Sequence, residues 1–591
     1  MYRLWIVVLL LVTSVTTADA QRALTFEQRQ ADLNQVASFY AKNYAPYEWK
    51  RNVFGFDLLN LTPWLPRTLH PDDLDFQEML IEYVASLNDA HDSIAFPTTF
   101  FASLPLSIDI YDGKVLIDSL NRTLLPIAQY PFTVGDEIVS VDGHPVQELI
   151  QMFRKYAIAA NPRSTDRTAA SRIVSRSQQI MPHIIELGDT AAVVVRLATT
   201  GAENTYNIRW TKTGIPIDSQ GPVPSPEFRQ SFSVLEDLSP KGSPGSPATM
   251  TGRSIYHIGE TTATDNTLPA YMQPIMPLLN ASVPKDYYSV LNFGGKFPIY
   301  GPPPGFIQRL GAQSTDFFLS GTYVANGVRI GLIRIPTMSP PNVSLALQQL
   351  DTEIAYFNAN TDCLVVDVMR NPGGTVSFVE SIAQRFIPSP FRTLGYEIRA
   401  TGAWLFSFAS QLNSAQSSNA PPQIIENLQN NFNEVLRAYN EKRGRSGPVS
   451  LNPTGSLILS PAPVAYTKAL MLLVDEFSAS GADAFPAIIQ DNHRGPIFGM
   501  RTMGAGGTVT SFTGTAYTES IIRITTSLMN RANPVETGEF PKAPYVENIG
   551  VRPDIVEDYM TRANLISAGA PYVQAFTSAI VNLVQSSANK F

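Results

Sequence analysis

LMLLVDEFSASGADAFPAIIQ, residues 470–490, indicates both the fold and the chemistry of the second half of this chain. The apolar run Leu470–Val474 is typical of a buried strand, and the residues beyond the small-residue turn have the pattern of a helix. Ser478 and Ser480 lie in that turn. A serine there would stand at a helix N-terminus, where the N–H of Gly481 can stabilise a negatively charged oxygen. From these residues alone, each serine fits a helix N-cap as well as a catalytic nucleophile.

A second turn of the same kind lies upstream in LVVDVMRNPGG, residues 364–374. A buried strand runs into Pro-Gly-Gly, and Thr375 can then cap a helix. Adjacent glycines let the backbone present N–H groups to a site without obstruction by a β-carbon. Gly373 and Gly374 are therefore candidate donors to a developing oxyanion. An ordinary strand-to-helix turn would give the same local pattern.

The chain around these two turns alternates apolar runs with amphipathic segments, which predicts an α/β unit from about Tyr323 onward. We expect the following elements there: a strand at 327–336, a helix at 343–358, a strand at 363–369, a helix at 375–386 and a strand at 469–475.

Upstream, the sequence predicts a helix and then a region of short strands. Asp72 and Asp73 suit the first turn of a helix whose apolar stripe runs to Leu87, and His91 follows on a loop. The stretch PFTVGDEIVSVDGHPVQELIQMFR, residues 131–154, resembles the core of a PDZ domain. Such domains accept an extended peptide as an added strand. The stretch from Thr211 to about residue 320 is rich in Pro, Gly and Ser, which predicts a linker or insertion.

Composition excludes several classes of protein. The net charge is −8 and charged residues make up 16% of the chain, so no basic face for nucleic acid is expected. Arg3, an apolar stretch and Ala18-Asp-Ala20 have the order of a secretory signal, which predicts cleavage near Ala20 and a secreted, periplasmic or extracellular protein. No later apolar run predicts a membrane anchor. The single cysteine, Cys363, excludes an internal disulfide and a thiolate metal site.

Three motifs in order resemble the S41 peptidases, the C-terminal-processing clan. They are the Arg-Asn-Pro-Gly-Gly turn, Ser-Ala-Ser before a helix that ends in Gln-Asp, and a Gly-x-x-Thr-x-Gly-x-Gly segment at 499–506. The resemblance is strong over residues 325–560. It implies a ClpP/crotonase-like core of ββα units, protein or peptide substrates, no cofactor and a homodimer.

Within that clan the resemblance implies which residues act. Tail-specific proteases carry a lysine in the last motif, where this chain has Ala505. The local sequence instead resembles the Ser–His–Glu branch, typified by the chlamydial protease-like activity factor. By position the nucleophile falls on Ser480 rather than Ser478, the general base on His91, and the orienting carboxylate on Glu547. A histidine base predicts activity that rises with pH through an apparent pKa of about 6 to 7.

Some assignments stay open at this level. Glu539 competes with Glu547 for the carboxylate, and the oxyanion donor beside Gly481 is Gly373 or Gly374. The other histidines (residues 70, 144, 183, 257 and 493) have no motif that makes one of them the base, and no paired His/carboxylate spacing predicts a metal. Two other functions compete with peptidase activity: a non-catalytic S41-fold binding protein, and a peptide-binding scaffold built on the PDZ-like segment.

The sequence therefore predicts an α/β multidomain serine endopeptidase with an N-terminal helical region and a PDZ-like domain. The expected division is a signal peptide at 1–20, a helical cap with the histidine loop at 21–100, a PDZ-like domain at 101–210, the insertion at 211–320, the catalytic core at 321–560 and a C-terminal helix at 561–591.

Overall fold

The structure is a computed structural model that describes residues 23–219 and 293–588. The predicted signal peptide and most of the predicted insertion lie outside the described residues. Mixed helices and sheets form several packed units, which confirms the α/β multidomain class.

The N-terminal region is helical, as predicted. Thr25 and Gln28 cap its first helix reciprocally, since each side chain bonds the other's backbone N–H. Asp72 caps the third by accepting from the N–H of Leu74 at 2.7 Å. The helices bury their apolar faces together, and Ile522 from the later chain joins that core. The bounds are α1 Phe26–Asn43, α2 Tyr47–Phe54 and α3 Asp73–Ala85, with a 3-10 turn at Leu65–Leu69.

The PDZ-like region is a six-stranded sheet with two helices against it. Its hairpins turn at Asp112-Gly113 and Asp142-Gly143, where all four residues have positive φ, as tight hairpin turns of this sequence require. The elements are β1 Ser93–Ala95, β2 Phe101–Ser103, β3 Leu106–Tyr111, β4 Lys114–Leu120, β5 Glu137–Val141, β6 His144–Pro145, α4 Val146–Phe153, α5 Pro162–Val174, β7 Ser175–Ser177, β8 Thr190–Arg196, β9 Glu203–Arg209 and β10 Thr211–Thr213. The sheet consists of β3, β4, β5, β6, β8 and β9.

The core is built on a seven-stranded sheet. Its elements are β11 Ile307–Leu310, β12 Leu319–Ala325, β13 Val328–Arg334, α6 Val343–Asn360, β14 Cys363–Asp367, α7 Val376–Phe386, β15 Phe391–Arg392, β16 Gly395–Arg399, α8 Gly402–Ser417, α9 Pro422–Asn440, β17 Arg445–Val449, β18 Ile458–Leu459, β19 Ala469–Val474, α10 Gly481–Asp491, β20 Ile497–Gly499, β21 Val509–Thr513, β22 Ile521–Thr525, β23 Ser527–Val535, β24 Ala543–Tyr545, β25 Ile555–Val556, α11 Arg562–Ile566 and α12 Ala570–Ala588.

Strand order in that sheet is β11-β12-β13-β14-β19-β20-β25. The strands from β13 to β25 are parallel. Those from β13 to β20 are buried, which explains their near-continuous apolar sequences, whereas the short edge strand β25 is exposed. β11 lies in the stretch that the sequence assigns to the insertion. It is an exposed edge strand, so its sequence lacks the alternation of apolar and polar residues that indicates a half-buried strand.

Two pairings position the candidate site. β14 and β19 are parallel neighbours, with Asp367 opposite Leu473, so the turns that follow them meet at one edge of the sheet. β1 pairs antiparallel with β22, with Ser93 opposite Arg523, which holds the loop before β1 against the core. Within residues 23–219 and 293–588, no helix has the length and apolar character needed to cross a bilayer.

Candidate active site

Ser480 immediately precedes α10 in a strained turn. Its φ of 54° and ψ of −111° lie outside the regions that L residues ordinarily occupy. Such conformations persist where surrounding contacts hold them, and they cluster at functional sites. The amide N–H of Ser480 donates to Oδ2 of Asp483 at 2.7 Å. The residue is partly exposed, so a substrate can approach it.

Ser478 has a different environment from Ser480. Its side chain is fully buried, and its Oγ donates to the carbonyl of Val368 at 2.8 Å. The same Oγ accepts the amide N–H of Asp475 at 3.1 Å. Ser478 therefore ties the end of β19 to the end of β14, and its hydroxyl is occupied by these structural bonds.

The Pro-Gly-Gly turn is held by a parallel bridge between Gly374 and Met338. In that bridge the carbonyl of Gly373 accepts from Met338 at 2.8 Å, and Thr375 donates back to Met338 at 3.0 Å. The N–H of Gly373 donates to the side chain of Asn371 at 2.8 Å. Because the bridge uses only the flanking peptide groups, the N–H of Gly374 has no hydrogen-bond acceptor among the described residues.

The same turn lies directly against the Ser480 turn. A β-carbon at Gly373 would stand 2.7 Å from Cβ of Ser480 and 2.6 Å from the nitrogen of Gly481. A β-carbon at Gly481 would stand 3.1 Å from the nitrogen of Gly374. Only glycines permit this approach, which brings Gly373 against Ser480 and the amide of Gly374 against Gly481.

His91 lies on the loop between α3 and β1 and is buried, with 2% of its surface exposed. Its amide N–H donates to Asp89 at 2.9 Å, and the neighbouring Asp92 accepts from the N–H of Thr525 at 2.9 Å. Nδ1 of the ring has no hydrogen-bond partner among the described residues. Burial lowers the pKa of His91 to about 4, with Asp89 opposing the shift. That is below the pKa of about 6 to 7 that the sequence predicts.

Glu547 is fully buried and both carboxylate oxygens are bonded. Oε1 accepts from Nζ of Lys50 at 2.5 Å, and Oε2 accepts from the N–H of Gly506 at 2.9 Å. Burial raises the pKa of Glu547 and the Asp89 carboxylate adds to this, whereas Lys50 and the Gly506 N–H lower it. Sequence reasoning missed Lys50 because it lies in a short helix with no motif around it.

A small hydrophobic cluster brings together the neighbours of the three predicted residues. Ala90 precedes His91, Ala479 precedes Ser480, and Ala505 lies one residue before the Gly506 that bonds Glu547. The three alanines pack in one cluster, together with Ala159, Ala160, Phe293, Phe477 and Met503. In this conformation Nδ1 of His91 and the Glu547 carboxylate are not hydrogen-bonded to each other.

Asp483 connects the nucleophile turn to the Gly-rich segment. Besides Ser480, its carboxylate accepts the N–H of Gly504 at 2.8 Å and of Ala505 at 3.0 Å. Burial raises its pKa to about 6 against the effect of these bonds. The sequence analysis missed Asp483, although the spacing Ser-x-x-Asp is a capping-box signal.

A buried charge network joins the PDZ-like sheet to the strand ends. Arg167 of α5 bonds both oxygens of Asp109 on β3, at 2.9 and 2.6 Å. Its remaining terminal nitrogen bonds Glu476 at 2.8 Å. Arg370 directly precedes the Asn-Pro-Gly-Gly turn. Its backbone N–H donates to Asp475 at 2.8 Å, and Nε of its guanidinium lies 3.6 Å from the same carboxylate. Opposite charges of this kind must be paired when buried, so this network fixes both turns against the PDZ-like region.

The residues that compete in sequence with Glu547 and His91 for the roles of carboxylate and base have other environments. Glu539 is 59% exposed and pairs with Arg501 at 2.6 Å and Arg552 at 3.1 Å. The histidines at 70, 144 and 493 are exposed, and His183 pairs with Asp75 and Glu186. His257 lies outside the described residues. Across the described part of the chain, no group of three or more His, Cys, Asp or Glu side chains could hold a metal ion.

Comparison with known proteins identifies the two larger units. Residues 329–556 match peptidase family S41, and residues 101–217 match a PDZ domain. A protein of Chlamydia pneumoniae is 26% identical, with 98% of this chain and 94% of that protein aligned. A protein of Chlamydia trachomatis is 24% identical over 94% and 92% of the two chains. The crystal structure of mature CPAF aligns with a TM-score of 0.70 at 20% identity, covering 95% of this chain and 98% of that one.

Proposed function

Because this chain is a serine peptidase of family S41, we propose that it cleaves peptide bonds through an acyl-enzyme on Ser480. In this proposal His91 is the general base and Glu547 is the carboxylate that orients the histidine ring. The observation that carries the proposal is the close approach of the Pro-Gly-Gly turn to Ser480. A β-carbon added at Gly373 would stand only 2.7 Å from Cβ of Ser480.

The first step is attack of Ser480 Oγ on the carbonyl carbon of the substrate. A serine is a weak nucleophile until a neighbouring base takes its proton, and Nε2 of His91 is that base. The pair of electrons displaced from the carbonyl becomes an oxyanion, which the N–H groups of Gly374 and Gly481 stabilise. The unbonded N–H of Gly374 supports this assignment over Gly373, whose N–H is bonded to Asn371.

In the second step the carbon–nitrogen bond breaks and the His91 imidazolium returns its proton to the departing amine. A water molecule then repeats the sequence on the acyl-enzyme, and Ser480 is released. Glu547 stabilises the imidazolium and holds the ring in one tautomer. Catalytic hydrogen bonds are often long without substrate, so we expect the bond from Nδ1 of His91 to Glu547 to form in the substrate complex.

The export of the protein is also a proposal. The residues Ala18-Asp-Ala20 support cleavage of a secretory signal before Gln21. N-terminal sequencing of the protein recovered outside the producing cell should begin at Gln21, and an N-terminus at Met1 would contradict it.

An ester burst assay tests the acyl-enzyme independently of substrate preference. With p-nitrophenyl acetate, wild type should release about one equivalent of p-nitrophenol rapidly before a slower steady state. The Ser480→Ala variant should show no burst, and only wild type should degrade fluorescently labelled casein. A burst of normal size in Ser480→Ala would refute Ser480 as the nucleophile.

A further inference from the structure

Lys50 is the most completely buried cation near the proposed triad. Its side chain has 0% exposure, as does that of Glu547. An ammonium group has three N–H donors and no acceptor. Nζ of Lys50 makes three bonds, to Oε1 of Glu547 at 2.5 Å, Oδ1 of Asn548 at 2.8 Å and the carbonyl of Asn88 at 2.8 Å. Each of the three N–H donors of the ammonium group therefore has an acceptor.

These bonds span the two segments that carry the base and the carboxylate. Asn88 begins the loop that leads to His91, and Asn548 follows Glu547 directly. Nδ2 of Asn548 also donates to the Asn88 carbonyl at 2.9 Å, and both asparagines have positive φ, 51° and 62°. Lys50 thus holds two strained loop positions in one arrangement. Its own helix, α2, is anchored there because Trp49 donates to Asn548 at 3.0 Å.

We propose that Lys50 is a positioning residue that favours the ionised form of Glu547 and holds it beside the His91 loop, so that the triad has a fourth member contributed by the N-terminal helical region. The inference rests on the proposed triad. A lysine here is distinct from the lysine base of tail-specific proteases, whose position is taken by Ala505.

The charges around Glu547 make a cation necessary. Asp89 and Asp92 lie on the His91 loop and are almost fully buried. Asp89 accepts from the hydroxyl of Tyr44 at 3.0 Å, and its charge raises the pKa of Glu547. The other charged or titratable groups that influence this cluster are His91 itself, Arg523 of β22, and the buried phenols Tyr40 and Tyr44. Lys50 is the cation bonded directly to the Glu547 carboxylate.

Without the ammonium, Glu547 would be a buried carboxylate beside another carboxylate. Its pKa would rise further, because desolvation and a like charge both favour the neutral acid. A protonated Glu547 cannot stabilise the imidazolium of His91. The loss of activity on removing Lys50 should therefore be greatest at low pH and shrink as rising pH ionises Glu547.

The experiment measures the rate at which a fluorophosphonate labels the full-length protein between pH 5 and 9.5. The probe reacts with an activated serine, so no natural substrate is needed. Lys50→Met should lower the second-order rate at pH 7 about a hundredfold, because a smaller fraction of the molecules would then carry an ionised Glu547. The deficit should fall below about tenfold at pH 9.5, while Lys50→Arg keeps the wild-type pH profile.

Three further variants separate positioning from simple support of the fold. In a Glu547→Gln background, adding Lys50→Met should change the rate less than about threefold, because the two residues act through one interaction. Lys155→Met removes a lysine that pairs with Glu78 and Glu82 outside the triad, and it should leave the profile unchanged. Lys50→Gln, which keeps amide donors but no charge, replaces Lys50→Met if that variant does not fold.

The proposal is overturned if Lys50→Met, or Lys50→Gln in its place, loses the same factor at every pH. It is also overturned if the losses of that variant and of Glu547→Gln multiply. It is also overturned if Lys50→Met labels at the wild-type rate. A different result, normal labelling in both His91→Ala and Glu547→Gln, would instead refute the proposed triad on which the inference rests.

Discussion

The amide N–H of Ser480 donates to the carboxylate of Asp483 at 2.7 Å, and the same carboxylate accepts the amides of Gly504 and Ala505. One side chain therefore holds the strained nucleophile turn and the Gly-rich segment together. Burial raises the pKa of Asp483 to about 6, whereas hydrogen bonds from the Thr502 side chain and from the three backbone amides favour its charged form.

Asp483→Asn should reduce kcat about a hundredfold with a smaller change in KM. An amide has one acceptor oxygen, so its NH₂ group would face an N–H that the carboxylate now accepts. An unsatisfied buried N–H costs about 1–3 kcal/mol, and the Ser480 turn would relax. Casein hydrolysis and chemical denaturation measure the two effects. Wild-type kcat in Asp483→Asn would show that the turn does not depend on this carboxylate.

Ser478→Ala should reduce stability, whereas Ser480→Ala should abolish activity. Ser478→Ala leaves the N–H of Asp475 without a partner, and the carbonyl of Val368 keeps only the N–H of Asn371. Unfolding should therefore become easier by about 1–3 kcal/mol, while activity below the melting point remains. Ser480→Ala should fold normally and have no activity. Paired urea denaturation and casein assays check both. An inactive but stable Ser478→Ala would place the nucleophile two residues upstream.

The oxyanion donors should be Gly374 and Gly481. A peptide boronate forms a tetrahedral adduct with an active-site serine, and a crystal structure of that adduct locates its oxygen. We expect the oxygen within about 3 Å of both amide nitrogens, since charge-assisted bonds of this length are required. An adduct oxygen bonded instead to Gly373, with the bond from Gly373 to Asn371 broken, would reverse the assignment.

Two arginines that share Glu476 provide a matched test of the link between the PDZ-like sheet and the core. The side chain of Arg167 is 2% exposed and also pairs with Asp109, whereas that of Arg163 is 34% exposed. Arg167→Met should cost about 3–5 kcal/mol because the buried Asp109 loses the arginine that bonds both of its oxygens, while Glu476 keeps only Arg163. Arg163→Met should cost about 1 kcal/mol or less. Denaturant titrations measure both, and equal losses would contradict a central role for Arg167.

The sequence predicted the core because strong periodicity and three ordered motifs lie within it. Buried parallel strands such as Cys363–Asp367 are continuous apolar runs, and the serine and glycine turns follow them directly. The sequence did not predict β11, because an exposed edge strand has no apolar pattern. PDZ-like turns were visible because Asp-Gly pairs require positive φ.

The site was harder to predict where it depends on distant contacts. Lys50 and Glu547 are 497 positions apart, so no local pattern signals their pairing. The pKa of His91 also depends on burial, and the value of about 4 could not be obtained from the surrounding residues in sequence. Asp483 was within reach, since its spacing from Ser480 is that of a capping box.

The most direct test of the account is the site and rate of fluorophosphonate labelling in wild type and His91→Ala. Peptide mapping after labelling of wild type should find one modified residue, Ser480. His91→Ala should label at least about a thousandfold more slowly, because triad members act as one unit, and its circular dichroism spectrum should match that of wild type. Modification of a residue other than Ser480, or labelling of a folded His91→Ala at the wild-type rate, would contradict the account.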